Sequence, residues 1–235
     1  MPPRNRSLGR DVHIYDVNDR TTVLGGLILT NGVTNANFYS MVEIIVFHLI
    51  IPRLIFAPNI GSFSVNNESW LVRIIFHASG TRTQSFRDTV RSRDRRCVVF
   101  GEVAVDAQFD YWDGFEAAHI FPIAYEDHWE AYSYNPWITI LPDKGGTINS
   151  LFDSYSFSIN PDDNYKVVFF RHDGKGLAGK HLDRKLLDNP QRPVDQLLRW
   201  HFGQAVLANM RGAGEPVFEH DFLPGSDIAV IRGIA

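Results

Sequence analysis

The pattern of hydrophobic and polar residues changes along the chain, and its first part is typical of β-structure. Residues 12–17 alternate between apolar and polar side chains, and residues 21–30 are rich in β-branched ones. Both patterns predict strands. Asn31-Gly32 follows and predicts a hairpin turn. These signals predict a β-rich module over residues 11–77.

The most hydrophobic stretch, residues 41–60, does not predict a membrane span. Glu43, Pro52 and Arg53 interrupt it, whereas a span needs about 20 predominantly apolar residues with few or no charges. Buried strands are the better interpretation, although residues 44–56 fit neither the period of a strand nor that of a helix. No membrane partner is expected.

An arginine-rich segment lies at residues 80–96, with six arginines against two aspartates. Phe86 and Val90 are four residues apart, as are Arg87 and Arg91. This spacing predicts a short helix with an apolar stripe and a basic face. Such a face could contact nucleic-acid phosphates. It could equally be a solvated surface on which arginines and aspartates pair.

The last third of the chain contains the clearest secondary-structure signals. Residues 157–159 and 165–170 predict two strands, and proline and Asx residues at 160–164 predict the turn between them. Residues 193–210 predict a helix, with proline at the start and apolar residues at helical spacing. We expect this helix to pack on a core, with His201 at the edge of the contact.

Composition narrows the functional classes only slightly. The chain has 235 residues, 44% of them hydrophobic, a formal net charge of −4 and a pI near 6.1. No global positive field favours nucleic acid, so any such contact depends on a local patch. The single cysteine, Cys97, excludes a disulfide framework and a zinc site built from several thiolates. Together with a polar beginning that does not resemble a signal peptide, it predicts an intracellular protein, cytoplasmic or nuclear.

Three segments carry a resemblance to a known family. They read RCVVFGE at residues 96–102, AAHIFP at residues 117–122 and LFDSYSFSINPDDNYK at residues 151–166. In this order they resemble the HNH endonuclease domain of a family of fungal proteins, and the similarity covers roughly residues 91–225. The family has an Asn-Gly loop and a second histidine just before its Phe-Asp pair. Here Asn149 is followed almost directly by the Leu-Phe-Asp triplet that ends at Asp153, so the motif is incomplete.

The resemblance implies an α+β fold with a degenerate ββα-metal core. Residues 97–122 would form its two strands, and residues 151–155 would be the remainder of its helix. The N-terminal β-rich module would occupy residues 1–80. The HNH-like domain would occupy residues 81–235, with its C-terminal helix packed on the core.

The same resemblance assigns chemistry to individual residues. His119 takes the position of the general base, for which the ordinary pKa of histidine is suited. Asp153 and Asn149 take positions that would hold a divalent metal, Mg²⁺ or Mn²⁺, with Zn²⁺ as an alternative; an inactive protein needs no cofactor. The expected nucleic-acid contacts are Arg87, Arg91, Arg93, Arg95 and Arg96.

Several interpretations stay open. The protein could be an HNH-like metal-dependent nuclease that is weak or inactive, because part of the motif is missing. It could instead reuse the scaffold as a small-molecule biosynthetic enzyme or binding module, with the aromatic residues of 109–137 as its site.

His119 could be a buried strand histidine and Asp153 a turn or cap carboxylate. His128 or His172 could replace a metal ligand, although their spacing does not support this. A gene-model variant of an active nuclease is the third interpretation, which sequencing the transcript across codons 145–155 would test.

Overall fold

In a computed structural model the chain has a mixed α+β fold of small two-stranded sheets and several helices. The structure describes residues 9–16, 19–48, 63–65, 84–99, 101–113, 115, 117, 120–121, 126–137, 152 and 154–212. The α+β class predicted from the sequence is confirmed.

The first sheet pairs strand β1 (Val12–Tyr15) with strand β2 (Val23–Leu27) in an antiparallel hairpin. Both strands match the predicted ones. Gly25 lies where an added Cβ would clash with the Ile45 side chain and would sit 2.7 Å from the carbonyl oxygen of Met210. Glycine therefore allows this hairpin to approach two segments that lie later in the chain.

Helix α1 (Asn35–Ile45) follows β2, so the hairpin predicted at Asn31-Gly32 is wrong. The Thr34 side chain accepts a hydrogen bond from the Asn37 N–H at 3.3 Å, which is the usual way for threonine to start a helix. An added Cβ on Gly32 would lie 2.7 Å from the carbonyl oxygen of Val167. Gly32 is thus needed for a close approach of two backbones, and the capping threonine then directs the chain into a helix.

The second sheet pairs strand β3 (Val46–His48) with strand β4 (Phe63–Val65), again antiparallel. Strand β3 begins directly where α1 ends, because Val46 adopts extended dihedral angles, φ −125° and ψ 118°. A helix thus gives way to a strand between adjacent residues. This change explains why the hydrophobic pattern around Ile44 has no single period.

The arginine-rich segment forms helix α2 (Gln84–Asp94), which confirms the predicted helix. Val90, on the predicted apolar stripe, is 2% exposed and packs with the buried Ala117. Arg91 and Arg93 lie in the last turn, where positive charge interacts favourably with the helix dipole. The Val90 contact determines which side of α2 faces the protein interior.

The two strands expected over residues 97–122 are not formed by the residues that the structure describes there. Arg96 and Val103 make an isolated antiparallel bridge. Between them, the Gly101 N–H donates to the carbonyl oxygen of Cys97 at 2.8 Å, and Gly101 has a φ of +71°. The strand prediction is wrong at this point because a glycine-dependent turn reverses the chain inside the apolar run.

Short helical elements follow α2 among the described residues of 101–137. They are a 3₁₀ helix at Val105–Phe109, helix α3 (Glu126–Ala131) and a second 3₁₀ helix at Asn135–Trp137. The first of these connects to the end of α2 through a hydrogen bond from the Ala104 N–H to the carbonyl oxygen of Arg95, at 3.1 Å.

The third sheet is the predicted hairpin of strand β5 (Phe157–Asn160) and strand β6 (Lys166–Phe169). A 3₁₀ turn at Pro161–Asp163 joins them, and the Asn160 side chain accepts a hydrogen bond from the Asp162 N–H at 3.0 Å. Proline and Asx residues occupy the positions that this type of turn favours. The sequence prediction of this hairpin is confirmed.

Helix α4 (Arg184–Leu187) is a single turn, and helix α5 (Asp195–Met210) is the longest described helix. Helix α5 confirms the helix predicted at the end of the sequence, and it packs against β5, α1 and β2. Its buried side chains include Phe202, Val206 and Met210.

Two large clusters of buried side chains, besides the small one of Val90 and Ala117, form the core of the described part of the chain. One joins Met41 and Ile45 of α1 to Val206 and Met210 of α5, and all four are fully buried. The second surrounds the hairpin of β5 and β6. Residues on either side of the predicted domain boundary at residue 80 therefore share one core, while the boundary itself lies outside the described residues.

A buried polar network adds to this contact. The fully buried Asn37 of α1 donates to the Asp163 carboxylate at 2.6 Å, and the Asn160 amide donates to the Asn37 oxygen at 2.5 Å. Lys166 also binds Asp163, at 2.6 Å. Each buried amide thus has a partner, as buried polar groups require.

None of the helices in the described part of the chain is long and apolar enough to cross a membrane.

Candidate nucleic-acid interface

The residues expected to carry cleavage chemistry, His119, Asn149 and Asp153, lie outside the described residues. Two of their chain neighbours are described. Ile120, which follows His119, is 6% exposed, and Phe152, which precedes Asp153, is 1% exposed. Both belong to the core cluster around the hairpin of β5 and β6. The fold thus brings described residues from two of the three segments that carry the HNH resemblance into one cluster.

Helix α5 holds one of these segments through His201. The Nε2 of His201 lies 3.1 Å from the carbonyl oxygen of Phe152, and its Nδ1 lies 2.7 Å from Oγ of Ser158. A carbonyl oxygen only accepts, so Nε2 carries a proton and donates to it. The imidazole is stacked on the Phe152 ring, with centroids 3.4 Å apart.

His201 is fully buried, so the expectation that it lies at the edge of the helix contact is wrong. Its sequence neighbours gave no sign of this, because its partners are on other elements. Ser158 is also fully buried, which leaves no room for a substrate at this serine–histidine pair. About two turns after His201 on α5, the Asn209 amide donates to the carbonyl oxygen of Tyr155 at 2.8 Å. The pair and this amide therefore fix the backbone on both sides of residues 153–154.

The five predicted arginines do not form one uniform patch. Arg93 has a side chain only 8% exposed, and it binds the Asp94 carboxylate at 2.6 Å and the carbonyl oxygen of Gln191 at 3.0 Å. Arg96 pairs with Asp183 at 3.2 Å. These two side chains are committed to contacts within the protein. The structure of Arg93 and Arg96 therefore agrees with arginine–aspartate pairing and not with phosphate contact.

The other three arginines are more accessible or less fully paired. Arg87 has a side chain 43% exposed and pairs with its neighbour Asp88 at 3.1 Å. Arg95 is exposed and has a φ of +50°, and its guanidinium makes no ion pair with any described residue. Arg91 lies between them on α2, one turn from each.

An open cleft of about 320 Å³ lies beside α2. The guanidinium of Arg91 lies 4.9 Å from the centroid of the Trp112 ring, a cation–π arrangement. The buried Nε of Arg91 has no hydrogen-bond partner. The cleft is lined by Asp88, Arg91, Ser92, Arg95, Asp110 and Trp112.

Carboxylates limit the positive charge of this cleft. Asp110 lies 3.9 Å from Arg91, has a side chain 85% exposed, and accepts a hydrogen bond from Nε1 of Trp112 at 2.8 Å. Glu102, Asp106 and Asp113 lie on the same segment. The cleft therefore presents two guanidinium groups and one indole ring in a surface of mixed charge.

Sequence reasoning did not connect Trp112 with the arginine helix. The alternation of aromatic and acidic residues at 109–113 was a usable signal, because aromatic side chains beside arginine are typical of nucleic-acid surfaces. The pairing of this segment with α2 depends on the turn at Gly101, which the strand prediction had missed.

A separate aromatic cluster surrounds α3. The rings of Tyr134 and Trp137 are stacked with centroids 4.1 Å apart, and those of His128 and Tyr132 are 4.2 Å apart. Phe121 connects the cluster to α5 through Trp200, at 4.7 Å. His128 thus takes part in ring stacking. Among the described residues, no group of three or more His, Cys, Asp or Glu side chains could hold a metal ion.

Residues 9–69 match a family model described as a domain of unknown function, DUF8573. This segment runs from just before β1 to just after β4 and ends before the arginine helix. No curated protein and no solved structure matches the chain.

Proposed function

We propose that this protein binds nucleic acid through an HNH endonuclease-like domain and that its cleavage of phosphodiester bonds is weak or absent. The observation that carries the proposal is the cleft in which Arg91, Arg95 and Trp112 lie together. Arginine contacts phosphate and aromatic rings stack on bases, so this combination suits a nucleic-acid strand.

Two further observations support an HNH-like arrangement. Ile120 and Phe152, the neighbours of His119 and Asp153, belong to one core cluster. His201 and Asn209 bind the backbone carbonyl groups of Phe152 and Tyr155. In the proposed site His119 would accept a proton from the attacking water at a ring nitrogen, and the cleft arginines would hold the phosphate backbone.

The proposed metal ligands would favour a hard cation. Asp153 supplies a carboxylate and Asn149 an amide oxygen, which are donors suited to Mg²⁺ or Mn²⁺. Zinc requires about three or four ligands, mostly nitrogen or sulfur, so these two oxygen donors do not fit it. A bound divalent ion would stabilise the charge that develops on the scissile phosphate. With only two protein ligands its affinity would be low, and this is the reason we propose weak cleavage.

Binding can be tested by fluorescence anisotropy with end-labelled nucleic acids at several salt concentrations. Arg95→Gln should weaken binding and reduce the log–log salt slope by about 1, because one phosphate contact is lost. Arg184→Gln, which removes an exposed arginine of α4, is the matched control. It should leave the affinity and the salt slope unchanged. Equal effects of the two substitutions would show that the cleft is not the binding site.

Cleavage can be tested separately by plasmid nicking with Mg²⁺ or Mn²⁺. We expect the natural sequence to nick at or near background. Any residual activity should fall by about two to four orders of magnitude in His119→Ala, the usual contribution of a positioned general base. Robust metal-dependent nicking that His119→Ala abolishes would show that the incomplete motif still forms an efficient site.

The aromatic cluster around α3 favours a second candidate, a site for a small aromatic molecule on the same scaffold. The cluster includes the stacked rings of Tyr134 and Trp137, and aromatic side chains are common in small-molecule sites. A thermal-shift screen of aromatic compounds would test it. Stabilisation that disappears in Tyr134→Ala, without any nucleic-acid binding by the natural sequence, would favour this candidate over the first.

A further inference from the structure

The segment that follows α2 exposes four large apolar side chains. Val103 is 52% exposed, Val105 and Phe109 are each 72% exposed, and Tyr111 is 65% exposed. Burial of apolar side chains normally stabilises a fold, so a run of exposed ones on ordered backbone indicates a surface that contacts something else.

The backbone that carries these side chains is held in place. The bridge between Arg96 and Val103 attaches the segment to the end of α2. The N–H groups of Asp110 and Tyr111 donate to the carbonyl oxygens of Ala107 and Asp106 at 3.1 Å and 3.2 Å. Phe109 and Tyr111 are therefore presented on a defined turn and not on a loose loop.

Phe109 and Tyr111 are the chain neighbours of Asp110, which lines the arginine cleft. They flank Asp110, whose carboxylate is 3.9 Å from Arg91 and 2.8 Å from Nε1 of Trp112. Asp110 adopts the left-handed conformation, with φ of 59°, and this turns the chain between the two aromatic residues. Two exposed aromatic residues thus flank, along the chain, a residue that lines the cleft together with Arg91 and Arg95.

We infer that this surface binds single-stranded nucleic acid, with unpaired bases stacked on Phe109 and Tyr111 and the phosphate backbone held by Arg91 and Arg95. The inference deepens the proposed function and rests on it. Base faces are covered by neighbouring bases in a duplex, whereas a single strand offers them to aromatic side chains. The exposed Arg95, which makes no ion pair with a described residue, favours this occupant over an apolar protein surface, which would leave its charge unpaired.

The charge of the surface also determines how binding depends on salt. Two phosphate contacts on a single strand give a log–log slope of about −1.4, at about −0.7 for each contact. The carboxylate of Asp110 and those of its segment prevent a larger basic footprint. Stacking should therefore contribute more to the affinity than phosphate contact does.

Anisotropy with a labelled oligothymidylate and with a duplex of equal length tests the inference on the full-length chain. The natural sequence should bind the single strand more tightly than the duplex. The Phe109→Ala and Tyr111→Ala substitutions should each weaken single-strand binding by about tenfold, because stacking on an aromatic side chain accounts for a large part of the affinity for each base. Tyr15→Ala, which truncates a tyrosine that is 45% exposed on β1, is the matched control and should have no effect.

The outcomes separate this inference from the proposal on which it rests. Failure of the natural sequence to bind any nucleic acid would overturn both. Binding that depends on Arg95 but not on Phe109 or Tyr111, or that is equally tight for duplex, would overturn the single-strand inference alone. Because both aromatic side chains are largely exposed, their truncation should leave the thermal unfolding transition in place, and this measurement checks that each variant is folded.

Discussion

Asp110 contacts both Arg91 and Trp112 in the cleft. Its carboxylate opposes Arg91 at 3.9 Å while it accepts the indole hydrogen bond of Trp112 at 2.8 Å. Asparagine keeps an acceptor oxygen and tolerates the left-handed backbone at this position. Asp110→Asn should therefore remove only the negative charge.

We predict that Asp110→Asn tightens nucleic-acid binding by about two- to fivefold, as expected for an exposed charge pair worth up to about 1 kcal/mol. Anisotropy measures the change. Asp188→Asn removes the same charge from an exposed position at the end of α4 and should not alter affinity by as much. Equal tightening by both substitutions would mean that only net charge matters.

A single substitution can also test how much the buried His201 contributes to stability. We predict that His201→Ala lowers the free energy of unfolding by about 2–5 kcal/mol, because it leaves a cavity and deprives the Ser158 hydroxyl and the Phe152 carbonyl of their partner. Denaturant unfolding measures this. His172→Ala, at an exposed histidine, should change stability by less than about 0.5 kcal/mol. Similar values for the two would contradict the buried arrangement.

At the scale of elements, helix α1 depends on its first turn. Thr34 caps the helix, and Met41 and Ile45 at its other end are fully buried against α5. We predict that Thr34→Ala lowers stability by about 1 kcal/mol, since an N-terminal N–H loses its acceptor. Thr34→Ser keeps the hydroxyl and should retain most of the stability. Equal losses for the two variants in denaturant unfolding would show that the cap does not matter.

At the scale of the whole molecule, the N-terminal residues complete the core of the C-terminal ones. Met41 and Ile45 lie in one cluster with Val206 and Met210, and Asn37 bonds to Asp163. Removal of residues 1–80 would expose the α5 side of this cluster to water. We predict that residues 81–235 alone lose cooperative unfolding, as followed by circular dichroism.

The opposite outcome has a clear meaning. If residues 81–235 unfold cooperatively with the stability of the full chain, the N-terminal region is the separate module that the sequence predicts. The shared cluster would then be a contact between two independently stable domains. A chain lacking only residues 1–8 is the control, and it should unfold like the full chain.

The amino-acid sequence by itself determined the elements whose signals lie within a few residues of one another. Helix α2 follows from the four-residue spacing of its apolar and basic positions, and α5 follows from proline and helical periodicity. The hairpin of β5 and β6 follows from its Asn-Pro turn. These features were predictable because backbone preference and side-chain period act locally.

Only the tertiary structure decided which charged and polar groups remain available. The Arg96 side chain pairs with Asp183, 87 residues later in the chain. The buried His201 bonds to the carbonyl oxygen of Phe152, 49 residues earlier. The cleft exists because a turn at Gly101 brings Trp112 back to Arg91. Local sequence patterns do not contain such contacts, since the pairing and burial of a side chain depend on groups that the folded chain brings from distant positions.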